Sequence, residues 1–325
     1  MLRIGTRGSA LALAQAQTVA SRLGAELVVI QSEGDRSTAS LASLGGAGVF
    51  AAALREALLA GEVDAVVHSF KDLPTAPAPG LSIAAVPTRG DARDALIARD
   101  GLTLVELPAG SRVGTGSPRR RAQLLSRRAD LEVVELRGNI DTRIARVGSV
   151  PAHADGGDID PERRLDAVVL AAAGLDRISR ADAITQHFGI ADWPTAPAQG
   201  ALAVETRAGD EKTVAKIDHK ASRLTAEAER AVLAMLEAGC AAPVGVHAML
   251  DDGLLFLDAR VYREDGSEYL TSSHALYPED SRDPIGELAK RVTEELLAKG
   301  AAELAPLSAS RDTGPSAPRG PGGTE

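Results

Sequence analysis

The feature that most constrains this chain is a pattern it states twice. IGTRGS at 4–9 and VGTGSP at 113–118 each leave a short apolar run through Gly-Thr and enter a helical stretch. Further on, VDAVV at 63–67 and LDAVV at 165–169 repeat a second apolar run. Short apolar runs alternating with amphipathic stretches are the signature of βαβ units, because a strand buried on both faces reads as continuous apolar sequence while its crossover helix keeps one wet face. The predicted order is strand LRIGT, helix SALALAQAQTVASRL capped by Ser9, strand ELVVIQS, helix VFAAALREALLAG and strand DAVVHS. After LSIAAVP the scheme restarts with strand RVGT, a helix capped by Ser117 with Pro118 at its first position, and strands LEVVELR and DAVVLAA. The repeat predicts two similar α/β domains facing a cleft. The last third differs: a long helix SRLTAEAERAVLAMLEAG, strands VGVHAML, LLFLDARVY and EYLTSSHAL, and a helix from Pro284 to about Lys299 make a small α+β domain. The stretches 32–48 and 151–164 read as loops, and Ser308 to Glu325 as a disordered tail of Pro, Gly and Ser.

Charge narrows the function. The net charge is −9 and aromatic residues make up 2% of the chain, which argues against nucleic-acid binding, where a basic face and stacking rings are needed. Against that acidic total, the window Arg112 to Arg146 holds nine arginines and only four acids. Such a concentration of guanidinium forks suits an anion bearing carboxylates or phosphates. No stretch reaches the roughly 18 uncharged apolar residues of a membrane span, and MLRIGTRGS lacks the regions of a signal peptide. The single cysteine excludes an internal disulfide framework. These features predict a cytoplasmic, membrane-free protein. The six histidines show no metal-ligand spacing, so no metal is expected.

Several residues can carry chemistry. The Gly-Thr turns offer backbone N–H groups and helix N-termini as anion sites, with Arg7 in the first and Arg119, Arg120 and Arg121 opening the second helix. Three cations beside a positive dipole end repel one another unless an anion joins them; helix periodicity turns one of them, Arg121, to solvent. RGNIDTR places Arg137 and Arg143 around a Gly-Asn turn, either as a surface turn with Asp141 salt-bridged or as a second anion clamp. Lys71 and Asp72 end the strand AVVHS; they are either a surface ion pair or a cleft pair in which the carboxylate steadies a cation and passes protons. Cys240, in EAGCAAPVG, is either a small buried hydrophobe or an accessible thiolate in a loop.

Taken in order, GTRGSALALAQ, GGAGVF, AVVHSFKDLPT, GTGSPRRRAQL, LRGNIDTR, LAAAGLDRI, APAQGALAVE and LEAGCAAPVG resemble the porphobilinogen deaminase (hydroxymethylbilane synthase) family, from Leu2 to about Leu307. The resemblance implies three domains: 1–87 with 200–218, 93–194, and 222–307, the first two built like periplasmic binding proteins, with 308–325 as a tail. It implies a dipyrromethane cofactor joined by a thioether to Cys240. It implies head-to-tail condensation of four porphobilinogens with loss of ammonia and hydrolytic release of hydroxymethylbilane, catalysed by Asp72, in a monomer. By position, Lys71, Thr115, Ser117, Arg119, Arg120, Arg137 and Arg143 match cofactor-binding residues, and Arg7, Ser9, Arg143, Arg177 and Gln199 match substrate-binding ones. Each pyrrole carries two carboxylates, which accounts for an arginine-rich cleft, and loss of ammonia leaves a cation that needs a carboxylate. The chain departs from the family pattern at Glu33, where arginine is common, and at Ser43 and Ala47, where many members carry lysine. Closure without direct charge pairing is expected there.

Two other classes compete. A non-enzymatic, two-lobed binding protein for a small carboxylate would share the arginine cleft but would have no need of Cys240 or a third domain. An RNA-binding protein using the 112–146 window would need the aromatics that are scarce here.

Overall fold

The computed structural model describes residues 1–30, 48–148, 164–239 and 242–307. The expected 32–48 loop up to Ala47, with Glu33 and Ser43, the expected 151–164 loop up to residue 163, Cys240 and the tail from Ser308 lie outside them.

Among the described residues there are three sheets. The first is built from β1 (Arg3–Thr6), β2 (Glu26–Val29), β3 (Ala65–Ser69), β4 (Leu81–Ala85) and a late strand, β10 (Leu202–Arg207). Their order is β2-β1-β3-β10-β4, with β1 parallel to β2 and β3, and β10 antiparallel to its neighbours. The second sheet uses β5 (Asp94–Ala98), β6 (Arg112–Gly114), β7 (Glu132–Val134), β8 (Ala167–Ala171) and β9 (Gln186–His187) in the order β7-β6-β8-β5-β9. Strand for strand it repeats the first, with β6 parallel to β7 and β8 and β5 antiparallel to β8. The predicted repeat is therefore present as two sheets of the same order.

It extends to single contacts. Asp64 precedes β3 and accepts from the backbone N–H of Arg3 at 2.9 Å; Asp166 precedes β8 and accepts from that of Arg112 at 2.7 Å. Each carboxylate ties the start of one parallel strand to its neighbour. Gly114 in β6 is required by packing, since a Cβ there would sit 2.6 Å from Leu165 Cδ1.

Helices α1 (Ala10–Leu23) and α2 (Gly48–Leu59) serve the first sheet, and α3 (Pro118–Arg127), α4 (Ile140–Ile144) and α5 (Ala172–Arg177) the second. The Ser9 hydroxyl caps α1 by accepting from Ala12 N at 3.3 Å, and Ser117 caps α3 by accepting from Arg120 N at 3.4 Å, with Pro118 at the first position as expected. Side chains such as Ile4, Val63, Val66, Leu124 and Leu175 are fully buried between sheets and helices, each contributing roughly 1.5–3 kcal/mol of transfer free energy.

The chain crosses between the lobes twice, from β4 to β5 and from β9 to β10. The crossings touch where Gly90 N donates to Gly200 O at 3.2 Å. Gly200 has φ +86°, and a Cβ there would meet Gly90 O at 2.6 Å, so only glycine lets the two backbones pass.

The third sheet is the antiparallel meander β11 (Val244–Asp251), β12 (Leu254–Tyr262) and β13 (Tyr269–Leu276), covered by α6 (Lys220–Met235) and α7 (Pro284–Ala298) around one apolar core. One buried carboxylate locks this unit to the crossings. Glu229 of α6 accepts from Arg89 Nη1 and Nη2 at 2.7 and 2.9 Å, from Ala198 N at 2.5 Å and from Ala248 N at 2.8 Å. Burial alone would raise its carboxyl; Arg89 and His247 outweigh that and hold it below the usual carboxylate range.

Candidate functional site

β3 is buried along its length and ends at Ser69, whose Oγ accepts from Gln15 Nε2 of α1 at 2.8 Å. A single 3-10 turn, Phe70–Asp72, then reverses the chain. Phe70 and Leu73 are buried and hold this turn down, while Lys71 stays half-buried and Asp72 is exposed. Arg230 of α6 clamps the turn from behind. Its Nη1 donates to Phe70 O and Leu73 O, each at 2.9 Å, its Nη2 donates to Pro74 O at 2.6 Å, and its guanidinium lies 4.6 Å over the Phe70 ring. The third unit thus braces the turn that presents Lys71 and Asp72.

Beneath the turn, His68 and Glu205 are buried across the β3–β10 pair. Arg55 binds Glu205 through Nε and Nη2 at 3.0 and 2.7 Å. His68 Nε2 stands 3.1 Å from Glu205 Oε2, but without a well-directed hydrogen bond. Burial would raise the Glu205 carboxyl, yet His68 and Arg55 together bring it down to about 2.

Lys71 Nζ donates to Gln199 Oε1 at 3.2 Å, reaching from the first lobe to the second crossing. Burial pulls the ammonium down to about 8, and the guanidinium groups of Arg120 and Arg119 push the same way; the charges of Asp72 and Asp94 oppose them. A cation this far depressed has room for an anionic partner.

The second lobe supplies most of the positive charge. Arg119 and Arg120 are both buried, as is Asp94, the first residue of β5. Asp94 Oδ1 accepts from Arg120 Nε and Nη2 at 3.0 and 2.6 Å, and Oδ2 accepts from Arg119 Nη1 at 2.9 Å. The expectation that the arginines repel one another unless a bound anion joins them is corrected here, because the protein itself supplies a carboxylate. That carboxylate stands opposed by burial, but its two arginines hold it far below its ordinary range. Arg121 turns outward as expected and donates to Val133 O at 2.7 Å.

Arg143, one turn into α4, is half-buried. Its Nε donates to Gly138 O at 2.8 Å, and its terminal nitrogens have no partner among the described residues. Burial lowers its pKa, the charge of Arg120 adds to that, and the charge of Asp72 opposes it, so both lie within electrostatic reach of Arg143. Arg177, at the end of α5, reaches the crossing and donates from Nη2 to Gly200 O at 2.6 Å; burial lowers it too. Thr115 is buried at the strand–helix turn, its Oγ1 accepting from Ser117 N at 3.2 Å. Arg7 is half-buried just after β1.

Arg137 sits apart from this group. It is exposed and paired with exposed Glu135 at 2.5 Å, which fits the surface-turn reading of that residue. Asp141 is likewise engaged, by Arg180 at 3.0 Å. The structure therefore gathers Lys71, Asp72, Arg119, Arg120, Arg143 and Gln199 in one place, with Arg177 against the crossing.

Sequence reasoning overlooked Asp94, Arg230, Arg89 and Glu229. The signal for Asp94 was present: RDALIA repeats the Asp-Ala-apolar start of DAVV at 64–67 and 166–169.

The donor set suits an acidic pyrrole cofactor. Four cations (Lys71, Arg119, Arg120, Arg143) face two carboxylates, and Arg119 Nε is buried with no hydrogen-bond partner. Among the described residues, no group of three or more His, Cys, Asp or Glu is placed to hold a metal ion, and no helix is long and apolar enough to cross a membrane.

Comparison with known proteins gives consistent matches. A family model described as porphobilinogen deaminase, dipyromethane cofactor binding domain, matches residues 2–215, and one described as porphobilinogen deaminase, C-terminal domain, matches residues 223–298. The porphobilinogen deaminase of Leifsonia xyli is 55% identical over 95% of this chain and 96% of its own. That of Cutibacterium acnes is 49% identical over 96% of this chain and 99% of its own. Among solved structures, an ABC transporter from Parabacteroides distasonis aligns with 92% of this chain and 94% of its own at 14% identity and a TM-score of 0.36.

Proposed function

The chain belongs to the porphobilinogen deaminase family, and we propose that it performs that family's transferase reaction at the end of β3, with Asp72 as the catalytic carboxylate. The reaction condenses four porphobilinogens head to tail, releases an ammonia at each step and ends with hydrolytic release of hydroxymethylbilane. What supports the reading is geometry: the turn after β3 presents Asp72 beside Lys71, and Lys71 Nζ reaches Gln199 Oε1, which also accepts from Arg120 Nη2 of the second lobe at 3.4 Å.

The cofactor of the family is dipyrromethane, which supplies the free pyrrole carbon to which the first substrate is joined. Cys240 would hold it as a thioether, with Lys71, Thr115, Ser117, Arg119, Arg120 and Arg143 around its acidic side chains. Arg137 belongs to this set by motif only, since its guanidinium is engaged by Glu135. Arg7, Ser9, Arg143, Arg177 and Gln199 are the residues assigned to the incoming substrate.

Each assigned group has a definite task. The guanidinium forks bind acetate and propionate arms and fix the rings in register. Ammonia departing from the aminomethyl carbon leaves a cation, and the Asp72 carboxylate lowers its energy without having to reorganise. Asp72 would also be the base that takes up the proton released as two rings are joined. Lys71, whose ammonium burial pulls down to about 8, would gain a counter-ion from a carboxylate arm of the cofactor.

Sheet membership supports a division into 1–87 with 200–218, 93–194, and 222–307. A cytoplasmic monomer completes the reading, since a lone cysteine reserved for a thioether suits a reducing compartment. The decisive experiment is the intact mass of the protein purified from cells that make porphobilinogen. A two-pyrrole increment in the wild type and its loss in Cys240→Ser are expected; a bare-chain mass in the wild type would overturn the cofactor assignment.

A further inference from the structure

We propose that Asp94 is a positioning residue for the cleft, acting through Arg119, Arg120 and Gln199 to set the place and the charge of Lys71. The proposal rests on the functional reading above.

Asp94 is fully buried at the head of β5, paired with Ala171 at the far end of β8. Its two oxygens accept five hydrogen bonds. Besides those from Arg119 and Arg120, Gln199 Nε2 donates to Oδ1 at 2.8 Å and Trp193 Nε1 donates to Oδ2 at 2.8 Å. A carboxylate so fully engaged has no lone pair directed at substrate. It serves by fixing the groups around it.

The consequence for Gln199 follows from donor and acceptor chemistry. Its Nε2 is surrounded by Asp94 Oδ1, Ala92 O at 2.9 Å and Arg93 O at 3.3 Å, all of them acceptors. The amide is therefore held with its NH2 toward Asp94, which points Oε1 at Lys71 Nζ and, at 3.4 Å, at Arg120 Nη2. The opposite amide orientation would set NH2 against two cations. The Gln199 carbonyl is also pinned, accepting from Arg89 Nε at 2.8 Å. Asp94 thus communicates with Lys71 through one amide whose direction it sets together with the Ala92 and Arg93 carbonyls.

The same carboxylate reaches the third unit. Arg119 Nη1 also donates to Gln123 Oε1 at 2.6 Å, and Gln123 Nε2 donates to Tyr262 Oη at 3.1 Å. A continuous hydrogen-bonded path therefore runs from Tyr262 through Gln123, Arg119, Asp94 and Gln199 to Lys71, joining all three units at the cleft. The charged groups facing Lys71 along it are Asp72 on its own turn, Arg119 and Arg120 on α3, and Asp94 on β5.

The test uses the full-chain holoenzyme with two variants. Asp94→Asn removes the charge and keeps the shape; Gln199→Met cuts the link to Lys71 and leaves every charge in place. In the holoenzyme, kcat/KM for porphobilinogen should fall on the alkaline side as Lys71 loses its proton, at a pH above the value near 8 that holds without the acidic cofactor beside it. Both variants remove an influence that favours the ammonium, so both should move this alkaline limb to lower pH. Both should raise KM about 10- to 100-fold, the usual range for losing hydrogen bonds to charged groups, with kcat changed much less because Asp72 is untouched.

Calorimetric binding of porphobilinogen to the Cys240→Ser chain, which carries no cofactor, with and without each variant, supplies a second readout free of turnover and should weaken in the same direction. A purely structural Asp94 would instead lower kcat and kcat/KM together with the amount of folded enzyme, and would leave the pH profile in place. If Asp94→Asn fails to fold, Gln199→Met decides through the pH profile alone, since Gln199 is itself assigned to the substrate: an unshifted alkaline limb, whatever the KM, overturns the proposal, and a shifted one sustains it. Loss of all activity and all adduct in every chain, wild type included, would strike the functional reading and not this one.

Discussion

Replacing Lys71 by Met should make the cofactor-free protein more stable, an unusual outcome for a substitution at a binding site. The ammonium has an ordinary pKa of 10.5 and is brought down to about 8, chiefly by burial. At 1.36 kcal/mol per unit this shift corresponds to about 3 kcal/mol of unfavourable interaction. Lys71 retains some exposed surface, so solvent screening reduces that to roughly 2 kcal/mol. Met fills the place of the alkyl stem but forfeits the hydrogen bond to Gln199 Oε1, worth about 1 kcal/mol. A net gain of about 1 kcal/mol remains.

Its pH dependence has a definite sign. Below pH 8 the lysine is charged both folded and unfolded, so the full penalty is present. Between 8 and 10.5 the folded form has lost its proton while the unfolded chain keeps one, so wild-type stability rises relative to the variant. Above that window the penalty is gone, only the Gln199 hydrogen bond distinguishes the two, and the order reverses. Urea unfolding of Lys71→Met against Lys71 in a Cys240→Ser background, at pH values spanning 7 to 10.5, measures it. A variant less stable at pH 7 by an amount constant across the range would refute the account of Lys71 as a burdened cation.

Asp72→Asn should fold and lose on the order of 10²–10³ in kcat, the usual cost of removing one preorganised charge; near wild-type ammonia release would remove Asp72 from the chemistry. Arg143→Leu should weaken porphobilinogen binding or cofactor assembly with little change in melting temperature, since its terminal nitrogens have no partner among the described residues; a wild-type KM together with full adduct by mass would contradict that. Glu205 is held at about 2 against an ordinary 4.5, so it contributes stability above pH 4.5 that is lost as pH falls toward 2. Glu205→Gln should cost up to about 3 kcal/mol at pH 7 and flatten the acid limb of the unfolding profile, and an unchanged acid limb would count against the buried Arg55–Glu205–His68 cluster as its source.

The parallel strands were legible because each is a buried apolar run between clear helix signals. Ser9 and Ser117 announced the helix starts, and both do cap them. What the pattern did not reveal were β5 and β10, the antiparallel strand beside the last parallel one in each sheet. DALIA and LAVETR are apolar enough to read as strands, but neither follows a crossover helix. βαβ reasoning, which expects a helix between strands, has no place for them. They are also the strands entered directly from the two lobe crossings, so missing them meant missing how the lobes are joined.

That omission explains what was missed in the site. Asp64, Asp166 and Asp94 all stand at the head of an Asp-Ala-apolar run, and sequence alone treats them alike. In the parallel strands β3 and β8, the head of the run is the end away from the cleft, so Asp64 and Asp166 are spent on the N–H groups of neighbouring strands. β5 runs the other way. The same short motif therefore delivers Asp94 to the cleft end of the sheet, where the nearest groups are Arg119, Arg120 and Gln199. Strand direction, which no short motif encodes, turns a strand-tying carboxylate into the counter-ion of the anion site. It also accounts for how an arginine cluster persists in a buried place: one carboxylate cancels part of the charge permanently, and the remainder is left for the substrate's acidic arms.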